Sequence, residues 1–339
     1  MSRLLNIIKL MILVATAGVS LALIATGQDT AAVSTTYHQT NLVSDGFVPA
    51  TFTDANLVNP WGLSRGSTTP WWVSDNGKGV STLYDGTGTA VPLVVTIPPA
   101  SGTGPGSPTG TVFAGGKFIF VTLDGTISEW SSGTSAVIKV NHSGTAMYTG
   151  CTTFKNGTVM QLYVANSLSG IEAYDLTFNQ VSLPPGAFVD PNVPAGYTPY
   201  NVQSAGGKPY VTFSQGAAPG AGKGYVDAFD ANGTLLLSLV HGNYMNVPWG
   251  VVMAPAGFGK FSQRLLVGQL GSGQVTAFNA ATGQFLGQIK DSTGHPIANV
   301  GLWALAFGNG GSAGPTTTLF FTAGIGFYAH GLFGSILPD

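Results

Sequence analysis

Apolar and polar residues alternate along most of this chain in short runs, and each run is ended by Gly, Asn, Asp or Pro. A period of two sends successive side chains to opposite faces, so these runs predict strands rather than helices. One run recurs as "GVSTLYDG" from Gly79, "GTISEWSSG" from Gly125, "GIEAYDL" from Gly170, "GYVDAFDANG" from Gly224 and "GQVTAFNAATG" from Gly273. Each copy closes on an aromatic residue (Tyr84, Trp130, Tyr174, Phe229 or Phe278) and then a polar turn. Such a pattern is a hairpin signal. "HGLFGSI" at 330–336 is a weaker sixth copy.

An apolar strand precedes each copy: "PWWVSD" (70–75), "KFIFVTL" (117–123), "MQLYVAN" (160–166), "KPYVTFS" (208–214), "RLLVGQ" (264–269) and "TLFFTAG" (318–324). Further upstream stand the opening phrases "NPWGLS", "PTGTVF", "YTGCTTF", "YNVQSA", "VPWGVV" and "GLWALAF". A fourth strand follows the polar turn, as in "VPLVVTI" (91–97) and "TLLLSLV" (234–240). Four strands per unit, repeated at roughly 45–55 residues, predict an all-β fold: a six-bladed β-propeller with four-stranded antiparallel blades. The sixth unit stops at Ile336 after three strands, and an open blade edge would leave backbone groups unpaired. The spare segment "TYHQTNLVSDG" (36–46) is expected to supply the missing outer strand, so that an N-terminal strand closes the ring in the last blade. The Trp-Gly phrases at 59–63, 247–251 and 301–305 are then innermost strands, with glycine admitting crowded backbone near the axis and Trp filling the wedge between sheets.

Composition agrees. Only 8% of the 339 residues are charged, and 49 are glycine. With 44% hydrophobic residues the chain is too apolar for disorder, and its length suits one large domain over 28–339. Residues 1–27 read as a secretory signal: Arg3 and Lys9 precede the apolar run Leu10 to Ala25. That run is short of the roughly 20 residues of a spanning helix, so an uncleaved anchor is the secondary reading. A secreted, periplasmic or cell-surface location follows, with no later membrane segment expected. The net charge of −2 becomes more negative once Arg3 and Lys9 are removed, which argues against nucleic acid. Cys151 is the only cysteine, so no internal disulfide forms, and a buried inert thiol in a strand is expected. A monomer is expected.

Long motifs carry a resemblance as well. "YHQTNLVSD", "NPWGLS", "WWVSDNGKGVSTLYDG", "DGTISEW", "VPAGYTPYNVQ", "NVPWGVVMAPAGFGKFSQRLLVGQLGSG", "GLWALAFG" and "HGLFGSI" resemble a family of exported bacterial proteins, some with a PEP-CTERM sorting tail. The resemblance spans residues 37–337 and implies a six-bladed propeller and export; it brings no activity and no catalytic residue. This chain ends "SILPD", without that tail.

Propellers bind at an end of the axis, and loops leading into the innermost strands share a face with loops leaving the second strands. Lead-in loops supply Asn59, Asn201, Asn246 and Asn299; second-strand exits supply Asp75, Asn76, Asp124, Asn166, Gln215 and Gln269. Joined by Trp61, Trp249 and Trp303, this amide and aromatic set suits a carbohydrate, a peptide or a surface protein. The competing reading is that the amides satisfy turn backbone and the tryptophans pack the core. A metal-assisted hydrolase or lactonase is the enzymatic alternative. It would hold a hard cation, calcium foremost, between Asp75 and Asp124. No other cofactor is called for. "GGSAG" around Ser312 has the spacing of a nucleophile elbow, but Pro315 and a Thr-rich strand follow where a helix is needed. His38, His142, His241, His295 and His330 lie in different units without zinc-ligand spacing. The inserts 184–199 and 215–224 break the repeat and are either recognition loops or tolerated insertions.

Overall fold

The computed structural model describes residues 33–339; the expected signal over 1–27 lies outside them. Six antiparallel sheets follow in chain order, each running from an innermost to an outermost strand. Blade 1 comprises Pro60–Ser64, Trp71–Asp75, Val80–Tyr84 and Val95–Thr96, and blade 2 comprises Pro108–Ala114, Lys117–Thr122, Thr126–Trp130 and Val137–Asn141. Blade 3 is built from Tyr148–Asn156, Val159–Asn166, Gly170–Asp175 and Gln180–Val181, and blade 4 from Thr198–Ala205, Lys208–Ser214, Tyr225–Phe229 and Leu235–Ser238. Blade 5 contains Pro248–Met253, Leu265–Gln269, Val275–Phe278 and Phe285–Gln288. Blade 6 contains Leu302–Phe307, Leu319–Ala323 and Leu332–Pro338.

The fourth strand of blade 6 is Tyr37–Ser44, antiparallel to Leu332–Pro338 with Tyr37 opposite Pro338 and Ser44 opposite Leu332. The ring is therefore closed by the N-terminal segment. A two-residue strand, Phe52–Thr53, adds to it in parallel, so this blade has five strands where four were expected. The outer strand expected over 91–97 shrinks to Val95–Thr96.

Apolar clusters fill the wedges between neighbouring blades. Trp72, Phe118 and Phe120 lie between blades 1 and 2, Tyr148, Leu162 and Tyr174 between 2 and 3, and Phe188, Phe213 and Phe229 between 3 and 4. Second strands are buried on both faces, which is why they read as unbroken apolar runs. "WW" shows the logic: Trp71 packs on Phe320 of blade 6 with ring centroids 5.0 Å apart, whereas Trp72 stacks on Phe118 of blade 2 at 4.0 Å. The closing aromatics of the repeats pack against the preceding blade, Tyr84 on Phe333 for example.

Candidate functional site

Neighbouring innermost strands run so close at the axis that a side chain is excluded. A Cβ at Gly110 would sit 2.6 Å from the Cys151 nitrogen, and one at Gly250 would sit 2.6 Å from the Trp303 carbonyl. One step before this tight ring, the blades supply Trp61, Thr109, Thr149, Tyr200, Trp249 and Trp303. Four of these six are large aromatic rings, and together they plug the channel. Trp61 and Trp303 stack at 3.6 Å, and Trp249 meets both edge-on at 6.4 and 5.8 Å. Tyr200 completes the set, and Tyr328 covers Trp303 from outside. Trp61, Trp249 and Trp303 are buried, so their ring faces are taken by each other and by Tyr200.

Call the face where innermost strands begin the upper face. The expected amides do gather along it, but as structural ties. Asn59 accepts a hydrogen bond from Trp303 Nε1 at 3.0 Å and donates to Asn76 Oδ1 at 3.2 Å; Asn76 donates onward to the Pro108 carbonyl. Asn201 Nδ2 donates to the Trp249 carbonyl at 2.8 Å, joining blades 4 and 5. Asn246 Oδ1 accepts from Gly220 N, and its own N–H donates to Gln269 Oε1. Asn166 ties Met147 N and Leu168 N and donates to Glu172. Asn299 exchanges two bonds with Gln39. Gln215 is exposed at the start of the 215–224 insert.

The two carboxylates expected to share a cation have separate partners. Asp75 is wholly buried and accepts from Thr82 N and Oγ1 at 3.1 and 2.8 Å. Burial pushes its carboxyl well above the usual carboxylate range, the Thr82 hydroxyl pulls it back, and Asp54 is the acid that raises it further. Asp124 instead accepts from Ala100 N at 2.6 Å. Among the described residues no three His, Cys, Asp or Glu side chains converge in a metal-holding group. Ser312 lies in the tight turn closed by Gly311 and Gly314, and the ring nitrogen of His142 meets the hydroxyls of Tyr148 and Tyr174 beside the wedge between blades 2 and 3.

An axial cavity lies instead below the plug, where the innermost strands end. It encloses about 350 Å³ and is lined by all six blades. Its accessible apolar surface comes from Val112, Phe113, Val252, Met253 and Ala306, with Leu63, Val251 and Leu305 buried behind it. Polar groups are Ser64, Arg65, Thr111, Thr152, Gln203 and Ser204. Buried Cys151 touches the cavity too, with its thiol pushed up by burial. Arg65 leaves the innermost strand of blade 1 and reaches across to blade 6. Its Nε donates to the Phe307 carbonyl at 2.7 Å and its Nη2 to Gly308 at 3.0 Å, with the guanidinium carbon 5.6 Å from the Trp71 ring centroid. This axial space opens at the lower face, at the opposite end of the axis from the amide set. Arg65 was missed, and its signal was a cation just past an innermost strand in a chain with only 12 Lys and Arg.

No family model matches the chain. Two uncharacterized proteins of Acanthamoeba polyphaga mimivirus are similar to it, at 27% identity covering 90% of this chain and 81% of the relative, and at 26% covering 88% and 85%. Among solved structures, a streptogramin B lyase superposes with a TM-score of 0.56 at 9% identity, covering 89% of this chain and 98% of that one. Virginiamycin B lyase from Staphylococcus aureus does so with a TM-score of 0.56 at 9% identity, covering 89% and 99%. A gluconolactonase from Xanthomonas campestris reaches 0.53 at 13% identity, covering 91% and 92%. At such identities the likeness is one of fold. These sequence relatives are viral, and the solved structures share the fold alone.

Proposed function

We propose that this propeller is a binding module that takes a small ligand in its lower axial cavity. The observation that carries this reading is the shape of the axis: sealed above by packed tryptophans, and widening below into a space of about 350 Å³ whose lining mixes polar and apolar groups. Ligand sites are commonly concave, largely apolar and fitted with a small number of placed polar atoms. The enzymatic alternative, a lactonase or hydrolase, gains support from the fold alone. Its two chosen carboxylates, Asp75 and Asp124, are engaged with Thr82 and Ala100 outside this cavity. Export remains part of the proposal, on the strength of Arg3, Lys9 and the apolar run after them.

The test is thermal melting with a panel of sugars, lactones, carboxylic acids and amides, run on the native chain and on Ser204→Trp. Ser204 is exposed at the cavity mouth, so tryptophan there fills the space without disturbing the core. A ligand at about 100 times its dissociation constant adds roughly 2.7 kcal/mol, a shift of several degrees. A shift present in the native chain and lost in Ser204→Trp is the expected result. A shift that survives the substitution moves the site elsewhere, and a panel without any shift overturns the reading.

A further inference from the structure

Resting on that cavity, we infer its ligand class: a small organic anion, a carboxylate on an apolar body, selected by Arg65. The guanidinium is half-buried and stays ionised even though burial lowers its pKa. Acid–base pairs among the described residues are His38–Asp339, Lys117–Glu129, Lys139–Glu129, His142–Glu172 and His330–Asp45; none includes Arg65. Neither Asp nor Glu lines the cavity. A partly desolvated cation facing only carbonyl dipoles carries a cost that a bound anion offsets.

The neutral polar groups are turned the same way. Gln203 Oε1 already accepts from Val251 N at 2.8 Å and from Asn201 Nδ2 at 3.4 Å, which fixes the amide and leaves Nε2 without an acceptor among the described residues. Thr152 Oγ1 accepts from Ser204 N at 3.1 Å, so its hydroxyl proton is the part left over. Arg65 uses Nε and Nη2 on blade 6, which leaves Nη1 without a protein partner among the described residues. The cavity thus offers one cation beside spare donors on Gln203 and Thr152. Such a set accepts oxygens with negative charge and rejects a cation. The half-buried apolar side chains Val112, Val252 and Ala306 take the body of the ligand.

Isothermal calorimetry of the full chain with 4-phenylbutanoate and 4-phenylbutanamide, which differ only in charge at one end, tests this. The expected result is acid binding at least about tenfold tighter than amide at low salt, an advantage that shrinks as salt rises. Arg65→Met is expected to bring the acid down to the level of the amide. That variant also loses two carbonyl bonds, so Arg65→Lys is read beside it and should keep part of the preference. Equal affinities for acid and amide, or a preference indifferent to salt, overturn the anion assignment and leave the cavity reading standing. Acid binding that persists unchanged in Ser204→Trp places the anion elsewhere and overturns it as well. Binding of neither compound overturns it too, while the wider panel above judges the cavity separately.

Discussion

Asn59 shows how one residue ties the centre of the molecule together. It sits at φ 47°, a left-handed conformation that Asn tolerates better than most residues, and its side chain holds the indole N–H of buried Trp303. Asn59→Ala strands that donor and strains the backbone, for a loss of about 2–4 kcal/mol in denaturant unfolding. Asn59→Asp keeps an acceptor and is expected to lose about half as much or less. Asp227 makes a different prediction. It is buried in blade 4, and burial raises its carboxyl to about 7, the Ser238 hydroxyl lowering and Asp190 raising it further. A raised folded value means that its contribution is fully present below the unfolded value near 3.9 and is lost as pH climbs to about 7. Asp227→Asn removes the buried charge, so its melting temperature should exceed that of the native chain by a few degrees at pH 8 and by little at pH 4.

Among elements, the turn after the third strand is a recurring device in blades 1, 3, 4 and 5. Asp85 Oδ1 accepts from Thr87 N, Thr87 Oγ1 and Thr89 N at 2.7–3.0 Å, and Asp175 does the same for Thr177 and Asn179. Asp230 and Asn279 repeat the arrangement in blades 4 and 5, and Asp291 repeats it in the loop leading to blade 6. These bonds favour the ionised carboxylate: Asp175 is lowered to about 2, chiefly by the Asn179 and Thr177 side chains, and Asp85 and Asp291 are lowered as well. With depressed folded values, the stabilisation is present above about 3.9 and is lost as pH falls through the folded values. Melting temperature should therefore drop between about pH 4 and pH 2, and replacing Asp85, Asp175 and Asp291 together by Asn should flatten that drop. Asn279 shows that an amide fits the same turn. The polar turns were visible in the sequence because the Asx geometry is local. The shortness of the outer strands was not, because a strand edge ends where its neighbour diverges.

For the molecule as a whole, Tyr37–Ser44 closes the ring against Leu332–Pro338, and closure predicts a single cooperative unit. Tyr37 strengthens it by donating to the Phe258 carbonyl and accepting from Phe261 N, both at 3.1 Å. A chain beginning after Ser44 exposes the Leu332–Pro338 edge and opens the wedge between first and last blades. Its melting temperature should fall steeply, and hydrogen exchange should speed up first in Leu332–Pro338. A peptide spanning residues 33–46, added in trans, should restore protection there. An unchanged transition in the shortened chain would show that closure adds no cooperativity.

Repeat number, strand order within a blade and the closing strand were all determined by the sequence alone. Each depends on period-two patterning, on turn chemistry or on the bookkeeping of unpaired edges, which act over a few residues or repeat every blade. Which end of the axis is open was decided only by the tertiary structure. Trp61, Trp249 and Trp303 come from strands far apart in the chain, and only when six blades converge do their rings meet and seal the upper end. The same convergence brings Arg65 to the carbonyls of Phe307 and Gly308 and turns Gln203 and Thr152 toward a common space. No local pattern encodes a cavity whose walls are drawn from residues 63 to 307, one short piece from every blade.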